Sequence, residues 1–506
     1  MVTANNKPAD RSVNSSLLAA GLIPASLSLY LVVTSGWNVL PSLDLYDAKR
    51  VLQIITVSIC ILFGLAYQPI RARVWSMILL IPPQIRWAVV LVFLLGLFSA
   101  LTSDHAFYGL AEVSLYFSLL LLLFFTAASA QLLGERMLKL IAVFLLVLGS
   151  LVSLTELIGL VVHWQMGQQA TSHTLFIRFS HPRFFNQVQS WLIPLLILPM
   201  LAFNGRRLLV SLAFFNLAFW WALLIYSGGR GSLLGLACAF GFVFLLVFKN
   251  PHFSRWRLTQ LLALLTGAAI YLALLFVPTI LGIDSAEAIS GSVGRSISHS
   301  SGRMYFWSLV MENLAQQPVF GSGPGLSVCM EPQTFFAHPH NFYLQITGEW
   351  GLPAGLLAAS VIIYVIWRVV KHLLARTSSP DSVVIIIVST GVLAAAIHAI
   401  FSGVMVMPAR QVCCVLVAGY LTALVLQPTG DAMRTGSANN QPGKSTAALV
   451  VALTGLLAVA YLGYFLMTEI PLLNARAETF VENQGVQLSP RLWQHGNICA
   501  FPADQP

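Results

Sequence analysis

The sequence predicts an all-α polytopic membrane protein with about 12–13 transmembrane helices and one large periplasmic loop between the ninth and tenth. Of its 506 residues, 57% are hydrophobic and only 9% are charged. A soluble domain carries about 25% charged side chains. The apolar residues form long blocks such as VVLVFLLGLFSA (89–100). Despite the formal net charge of +9, this composition excludes a soluble multi-domain enzyme, a disordered chain and a nucleic-acid binder.

Apolar blocks of about 20 residues bounded by charge, Gly or Pro define thirteen candidate spans. In chain order they lie near 17–36, 50–67, 87–102, 107–129, 140–162, 186–203, 207–227, 231–248, 258–281, 351–373, 383–404, 409–427 and 447–467. The segment 74–84 is too short to span and is broken by Pro82-Pro83, so we expect it at the membrane interface. The first span begins like a signal peptide, but the blocks that follow favour a retained anchor.

The distribution of Lys and Arg predicts the orientation of the chain. Alternating the loops puts seventeen of the 27 basic residues on one side and ten on the other. Because basic residues concentrate on the cytoplasmic side, we expect the larger set there. The predicted organisation is a cytoplasmic tail (1–16), spans one to nine (17–281), a periplasmic loop (282–350), spans ten to twelve (351–427), a cytoplasmic linker (428–446), a last span (447–467) and a periplasmic tail (468–506).

The six cysteines fit this layout. Four of them fall within spans, where we interpret them as apolar filler: Cys60, Cys238, Cys413 and Cys414. Cys329 and Cys499 both fall on the predicted outer side, where a disulfide persists if the two residues approach. Sequence does not give their separation, so the pairing stays open.

Lys and Arg usually concentrate on the cytoplasmic side, so arginines on the predicted outer side indicate candidate anion sites. Contact with lipid headgroups is the simpler account for four of them taken singly, namely Arg178, Arg183, Arg295 and Arg410. Arg230 differs because it lies in YSGGRGSLLGL, a Gly-rich turn that opens a helix, and a helix N-terminus beside a guanidinium favours phosphate. Arg303 follows Ser301-Gly302 in the first turn of an expected amphipathic helix that ends before Pro318.

The segment FFAHPHNFYLQITGEWGLPAG (335–355) contains the densest set of chemically active side chains. It holds His338 and His340, and an imidazole accepts a proton near neutral pH. The pair could also bind a metal with help from His163, His173 or His181, but neither HExxH nor paired cysteines support that. We interpret three polar residues inside spans as packed, hydrogen-bonded groups rather than a proton path: His398, Glu112 and Glu156.

At these residues the chain resembles the O-antigen ligase/polymerase superfamily, which includes O-antigen ligases, O-antigen polymerases and protein O-oligosaccharyltransferases. The resemblance runs from about 170 to 425 and rests on FIRFSHPRFFNQVQSWLIPLL, SGGRGSLLGL, SGRMYFWSLVMENLAQQPVFGSGPG and AHPHNFYLQITGEWGLPAG, in that order. One departure is Gly351-Leu-Pro-Ala-Gly355, which is one residue longer than the family's Gly-x-x-Gly. The span 447–467 with its short tail is additional to a twelve-span ligase.

The resemblance implies an enzyme of the bacterial inner membrane that moves a glycan from a polyprenyl-diphosphate carrier to an acceptor hydroxyl at the periplasmic face. The family's catalytic residues match Arg230, Arg303 and His340, its histidine before Asn being His340 and not His338. Residues implied in binding the diphosphate or glycan are Arg178, Arg183, Asn341, Tyr343 and His338. Arginines would hold the leaving diphosphate and His340 would take the acceptor proton, giving inversion without a metal or other cofactor.

Several alternatives stay open at the sequence level. The acceptor could be lipid A-core, another glycan repeat or a protein, with ligase preferred and polymerase close behind. A metal-dependent glycosyltransferase could use Asp44 and Asp47, although a solvated loop is the simpler interpretation. A lipid-linked glycan flippase would need a central polar route, whereas few charges lie within the predicted spans.

Overall fold

The computed structural model describes residues 9–248, 250–283, 302–329, 337–375, 382–427, 446–484, 490–496 and 499. Within these ranges the secondary structure is helical, without β-strands. In chain order the helices are α1 (Ala9–Gly36), α2 (Leu45–Ala66), α3 (Gln68–Leu79), α4 (Pro83–Thr102), α5 (Ala106–Leu133), α6 (Glu135–Gln165), α7 (Ser172–Leu175), α8 (Pro182–Leu192), α9 (Leu198–Ala202), α10 (Arg207–Tyr226), α11 (Arg230–Val247), α12 (Pro251–Ile280), α13 (Arg303–Gln316), α14 (Phe342–Trp350), α15 (Leu352–Ala375), α16 (Ser382–His398), α17 (Pro408–Val425), α18 (Thr446–Glu469) and α19 (Leu473–Gln484). Short 3₁₀ turns lie at Phe176–Phe179, Pro194–Ile197, Leu326–Cys329 and Ile470–Leu472. Arg295 and most of the 428–446 linker lie outside the described residues.

Eleven helices of the described chain are long and apolar enough to cross a bilayer, which confirms an all-α polytopic membrane protein. The predicted span 186–203 is a broken one: α8 and the Pro194–Ala202 segment meet at an angle of 50°. Pro194 explains the break, because proline lacks the N–H that would continue the helix and clashes with the preceding turn. The predicted span 383–404 corresponds to α16, which has only 17 residues.

The long helix α5 lies at the centre of one half of the bundle. It packs against α1, α2, α3, α17 and α18. The outward faces of other helices carry exposed apolar side chains, for example Leu208 (80% exposed) and Ile280 (81%). Such surfaces are stable when lipid rather than water surrounds them.

Two glycines let α16 approach its neighbours closely. A Cβ atom on Gly235 of α11 would lie 2.6 Å from the carbonyl oxygen of Ala394, and one on Gly391 would lie 2.6 Å from that of Trp191 in α8. Any larger residue would push these backbones apart, as at small-residue crossings in other membrane helices. The glycines therefore hold α16 between α8 and α11.

The C-terminal end of α16 lies where several other helices begin. His398 contacts the start of α11, and the turn that follows it leads into α17. Arg50 of α2 donates a hydrogen bond to the carbonyl oxygen of Val406 (2.6 Å). We call this end of the bundle the site face, because the residues with catalytic potential gather there.

Candidate active site

The His338–Asn341 segment is fixed by the helix that follows it. Asn341 is the N-cap of α14, and its side-chain oxygen accepts a hydrogen bond from the backbone N–H of Leu344 (3.0 Å). His340 precedes it with φ = 54°, a left-handed conformation that is uncommon for residues other than glycine. The backbone N–H of His340 donates to Nδ1 of His338 (3.2 Å). These contacts fix the backbone from which the imidazole of His340 projects.

The same segment is attached to the end of α16. His338 is buried against Gly403, where a Cβ atom would lie 2.3 Å from its ring. The backbone N–H of Phe342 donates to the carbonyl oxygen of Ala399 (2.9 Å), and the hydroxyl of Tyr343 donates to that of Ala396 (2.8 Å). Among the residues implied in binding substrate, His338, Asn341 and Tyr343 therefore use polar atoms to hold the segment.

Helix α13 brings Arg303 to His340. The indole N–H of Trp307 donates to the carbonyl oxygen of Pro339 (2.7 Å), so α13 is tied to the peptide between the two histidines. Val310 packs against Gly348 of α14, where a Cβ atom would lie 2.4 Å from its side chain. Arg303 stands one turn before Trp307, and its guanidinium is half-buried.

Helix α8 contributes a second arginine. His181 is its N-cap, and its Nδ1 accepts a hydrogen bond from the backbone N–H of Arg183 (3.0 Å). Arg183 is exposed, and it acts electrostatically on both His340 and Arg303. From the sequence, His181 was only one of three possible helpers in a metal site with His338 and His340, although His181-Pro182 repeats the His338-Pro339 pattern.

The electrostatic environment keeps His340 neutral. Burial, followed by the nearby charges of Arg303, Arg183 and His181, lowers the pKa of His340 to about 3. Burial, and then the neighbouring Arg183, also lowers the pKa of Arg303. The pKa of His338 falls well below its ordinary value because the ring is buried beside His340. The site thus combines a neutral, proton-accepting imidazole with at least two arginines.

Arg230 lies in an adjacent turn that rests on α8 and α16. A Cβ atom on Gly229 would lie 2.3 Å from Nδ2 of Asn186, and one on Gly231 would lie 2.9 Å from the ring of His398. Asn186 also accepts a hydrogen bond from Ser227 (2.8 Å). Arg230 begins α11 with an exposed side chain. Its turn and the His340 segment therefore share the C-terminal end of α16.

The remaining polar residues near the site have structural contacts. Nδ1 of His398 lies 2.8 Å from the hydroxyl of Ser190 and 3.2 Å from that of Ser232, which agrees with a packed polar group. Arg410 is buried, donates to the carbonyl oxygen of Phe184 (3.1 Å) and lies 4.6 Å from the centre of its ring. The expectation that Arg410 contacts lipid headgroups is therefore wrong.

Arg178 and Asp47 have other neighbours, and Asp47 lies in the first turn of α2 rather than in a solvated loop. Arg178 lies in the Phe176–Phe179 turn, where its carbonyl oxygen accepts a hydrogen bond from Lys49, and it is not among the groups that shift the pKa of His340. Asp47 is buried and accepts a hydrogen bond from the backbone N–H of Gln494 (2.6 Å). Its carboxylate is thus engaged by the C-terminal tail.

The metal alternative rested on clustered histidines. His173 and His181 have ring centres 5.2 Å apart, and those of His338 and His340 are 4.3 Å apart. In the part of the chain that the structure describes, the group with metal-ligand spacing is instead His105 with Cys329 and Cys499. Those two cysteines form a disulfide, and a disulfide does not offer the thiolates that a metal binds.

Comparison with known families identifies one matching region of the chain. Residues 214–359 match the family model described as O-antigen ligase. The matched region begins within α10 and ends within α15, so it contains Arg230, Arg303 and His340 but not Arg183. Among curated proteins, no match was found.

Proposed function

We propose that this chain, whose residues 214–359 match the O-antigen ligase family model, transfers a glycan from a polyprenyl-diphosphate carrier to an acceptor hydroxyl. The family supports a glycosyltransferase-like ligase or polymerase activity. The observation that carries the finer proposal is the position of His340, which α13 and α8 flank with Arg303 and Arg183. We assign the site face to the periplasm, in agreement with the Lys and Arg bias.

The arginines would stabilise the leaving group. When the anomeric C–O bond breaks, its electron pair stays on the diphosphate oxygen, where negative charge accumulates. Arg303 and Arg183 offer planar, charge-assisted donors that suit phosphate oxygens better than lysine does. Arg230, in the adjacent turn, would add a third contact to the diphosphate. Because Arg303 is partly buried, its effect on the developing charge is larger than it would be in water.

His340 would act as the general base. The acceptor oxygen attacks the anomeric carbon from the face opposite the diphosphate, and its proton passes to the imidazole, so the configuration inverts. In the free protein the neighbouring cations help to hold the pKa of His340 at about 3. A bound diphosphate would offset those cations and raise this pKa, so the imidazole becomes a stronger base when substrate is present.

A cavity beside α13, with both polar and apolar walls, offers room for sugar units. It has a volume of about 540 Å³ and is lined by Asn313, Gln317, Ser322 and His105 among others. Within the described residues, Oδ1 of Asn313 and Oγ of Ser322 are buried without a hydrogen-bond partner. Asn313 lies ten residues along α13 from Arg303, about 15 Å at the helical rise. A glycan extending from the diphosphate site could reach these groups.

Deletion of the gene followed by glycan profiling tests the proposal and identifies the acceptor. Loss of the ladder above single-repeat lipopolysaccharide indicates a polymerase, and accumulated lipid-linked polymer indicates a ligase. An unmodified protein indicates a protein glycosylase. An unchanged glycan profile in all three respects would refute glycan transfer by this chain.

The flippase alternative predicts a different phenotype. A His340 variant that lacks transfer should accumulate lipid-linked glycan on the periplasmic leaflet if His340 is a base. Accumulation on the cytoplasmic leaflet would instead favour transport. Protection of the glycan from an added glycosidase in intact spheroplasts distinguishes the two leaflets.

A further inference from the structure

The C-terminal tail contacts the site face through α2. The tail here means residues 490–496 together with Cys499. Its backbone is held by α2: the hydroxyl of Tyr46 donates to the carbonyl oxygen of Arg491 (2.5 Å), and Arg50 donates to that of Leu492 (3.0 Å). Trp493 stacks on Phe465 of α18 with ring centres 5.6 Å apart and planes 6° apart. The tail is therefore part of the packed structure.

Arg491 connects the tail to the helix that follows His340. Its guanidinium is buried and contacts both carboxylate oxygens of Glu112 (2.6 and 3.3 Å). It also contacts Glu349 (2.6 Å), which lies in the last turn of α14. The other end of α14 is the end capped by Asn341, next to His340. A nine-residue helix thus joins the Arg491 contact to the proposed base.

The loop before the histidines is bound to the same point. Glu349 accepts hydrogen bonds from the hydroxyl of Ser327 and from the backbone N–H of Gly325 (3.1 Å). Two residues after Ser327, Cys329 forms a disulfide with Cys499, with Cα atoms 5.6 Å apart. The tail therefore contacts the loop covalently and α14 through an ion pair.

We propose that the tail is a strap that positions His340, acting through the Arg491–Glu349 contact and fixed at its end by the Cys329–Cys499 disulfide. Arg491 is then a positioning residue, since it acts on the base through α14 and not on substrate. The role of His340 in this statement rests on the proposed function. The prediction that the tail orders α14 rests only on the contacts.

A cut in the backbone upstream of the tail tests whether the tail orders α14, and it alters no described residue. Residues 485–489 are replaced by a protease site, and the purified, folded protein is cleaved. The fragment 490–506 then stays attached through the disulfide until a reductant and a high-salt wash remove it. Mass spectrometry verifies its removal, and uncut protein treated with the same reductant is the control.

Release of the fragment should lower kcat by about 10²-fold with the donor KM changed less than about twofold, because a misplaced base impairs the chemical step more than binding. Amide hydrogen exchange in Phe342–Trp350 should become faster, and adding back a peptide of residues 490–506 should restore both measurements. Cut but unreduced protein should behave like the uncut protein.

A point variant offers a second route with a matched control. Arg491→Ala should accelerate exchange in α14, and Arg491→Lys should recover part of the protection. Arg476→Ala removes another buried Arg–Glu pair of the C-terminal region, 2.8 Å from Glu469, and should leave exchange in α14 unchanged.

Unchanged exchange in α14 after removal of the fragment would overturn the strap, whatever the activity. Because exchange needs no substrate, this outcome is separate from failure of the proposed function. If the intact protein transfers no glycan to any acceptor, the assignment of His340 as base fails while the exchange result still decides the strap. Equal exchange in the Arg491→Ala and Arg476→Ala proteins would also reject the role of Arg491.

Discussion

Replacing His340 by Asn removes the proposed base while keeping the backbone of its segment. His340 has φ = 54°, and asparagine adopts this left-handed region more readily than alanine does. The hydrogen bonds that fix the segment include the one donated by Trp307 and the one accepted by the side chain of Asn341, and the change leaves both in place. His340→Gly, which also tolerates this φ, separates loss of the imidazole from any effect of the new amide.

The expected magnitude follows from the role assigned to His340. Loss of a general base lowers kcat by about 10²- to 10⁴-fold. This corresponds to about 3–5 kcal/mol of transition-state stabilisation. Donor binding should be nearly unchanged, because the pKa of His340 is about 3 in the free protein and one neutral side chain replaces another. Arg303 and Arg183 keep their positions, so the countercharge for the diphosphate stays the same.

Transfer from a synthetic polyprenyl-diphosphate glycan by purified protein in detergent measures the effect, with donor affinity determined separately. His163→Asn is a matched control, since this histidine bonds to the carbonyl oxygen of Gly159 and is not among the groups that shift the pKa of His340. A His340→Asn protein that folds normally and transfers within about threefold of the unaltered protein would refute the assignment.

Three further predictions concern the same site. Arg303→Lys should lower kcat by about 10²-fold, because a point charge replaces a planar fork at the developing negative charge; an unchanged single-turnover rate would exclude Arg303 from the leaving-group site. The acid limb of kcat should lie at higher pH than that of kcat/KM, because the lowered pKa of His340 keeps it neutral in the free protein and bound diphosphate raises that pKa; coincident limbs in the two pH profiles would contradict this. Transfer should persist in EDTA, and a loss that Mg²⁺ or Mn²⁺ reverses would indicate a metal-dependent reaction instead.

The membrane-spanning segments were predictable because composition alone decides whether a stretch of chain is stable in lipid. All thirteen predicted spans have a helical counterpart, including the two that are not simple long helices. The break at Pro194 is a local property of proline, but the 50° bend that follows depends on how the two pieces pack.

The types of residue in the candidate site were predictable from the sequence. The structural role of each residue was not. Imidazole and guanidinium suit proton transfer and anion binding, and the family resemblance selected His340 and Arg303 among the residues that carry them. Asn341 and Tyr343 were grouped with them as substrate ligands, yet their side chains cap α14 and bond to Ala396. A polar residue in a motif can bind a ligand or hold the backbone, and only its neighbours in space distinguish the two.

The sequence by itself determined which segments enter the membrane and which side chains can do chemistry. The tertiary structure decided which of them meet: that His181 and Arg183 adjoin His340, that Cys329 pairs with Cys499, and that the tail reaches α2 across 442 residues of chain. The physical reason is that a membrane helix is apolar on every side, so its pattern does not mark the face that packs on protein. The faces that pack together are set by close approaches between backbones, as at Gly235 and Gly391. The packing of the helices in turn sets the positions of the loops that carry the site.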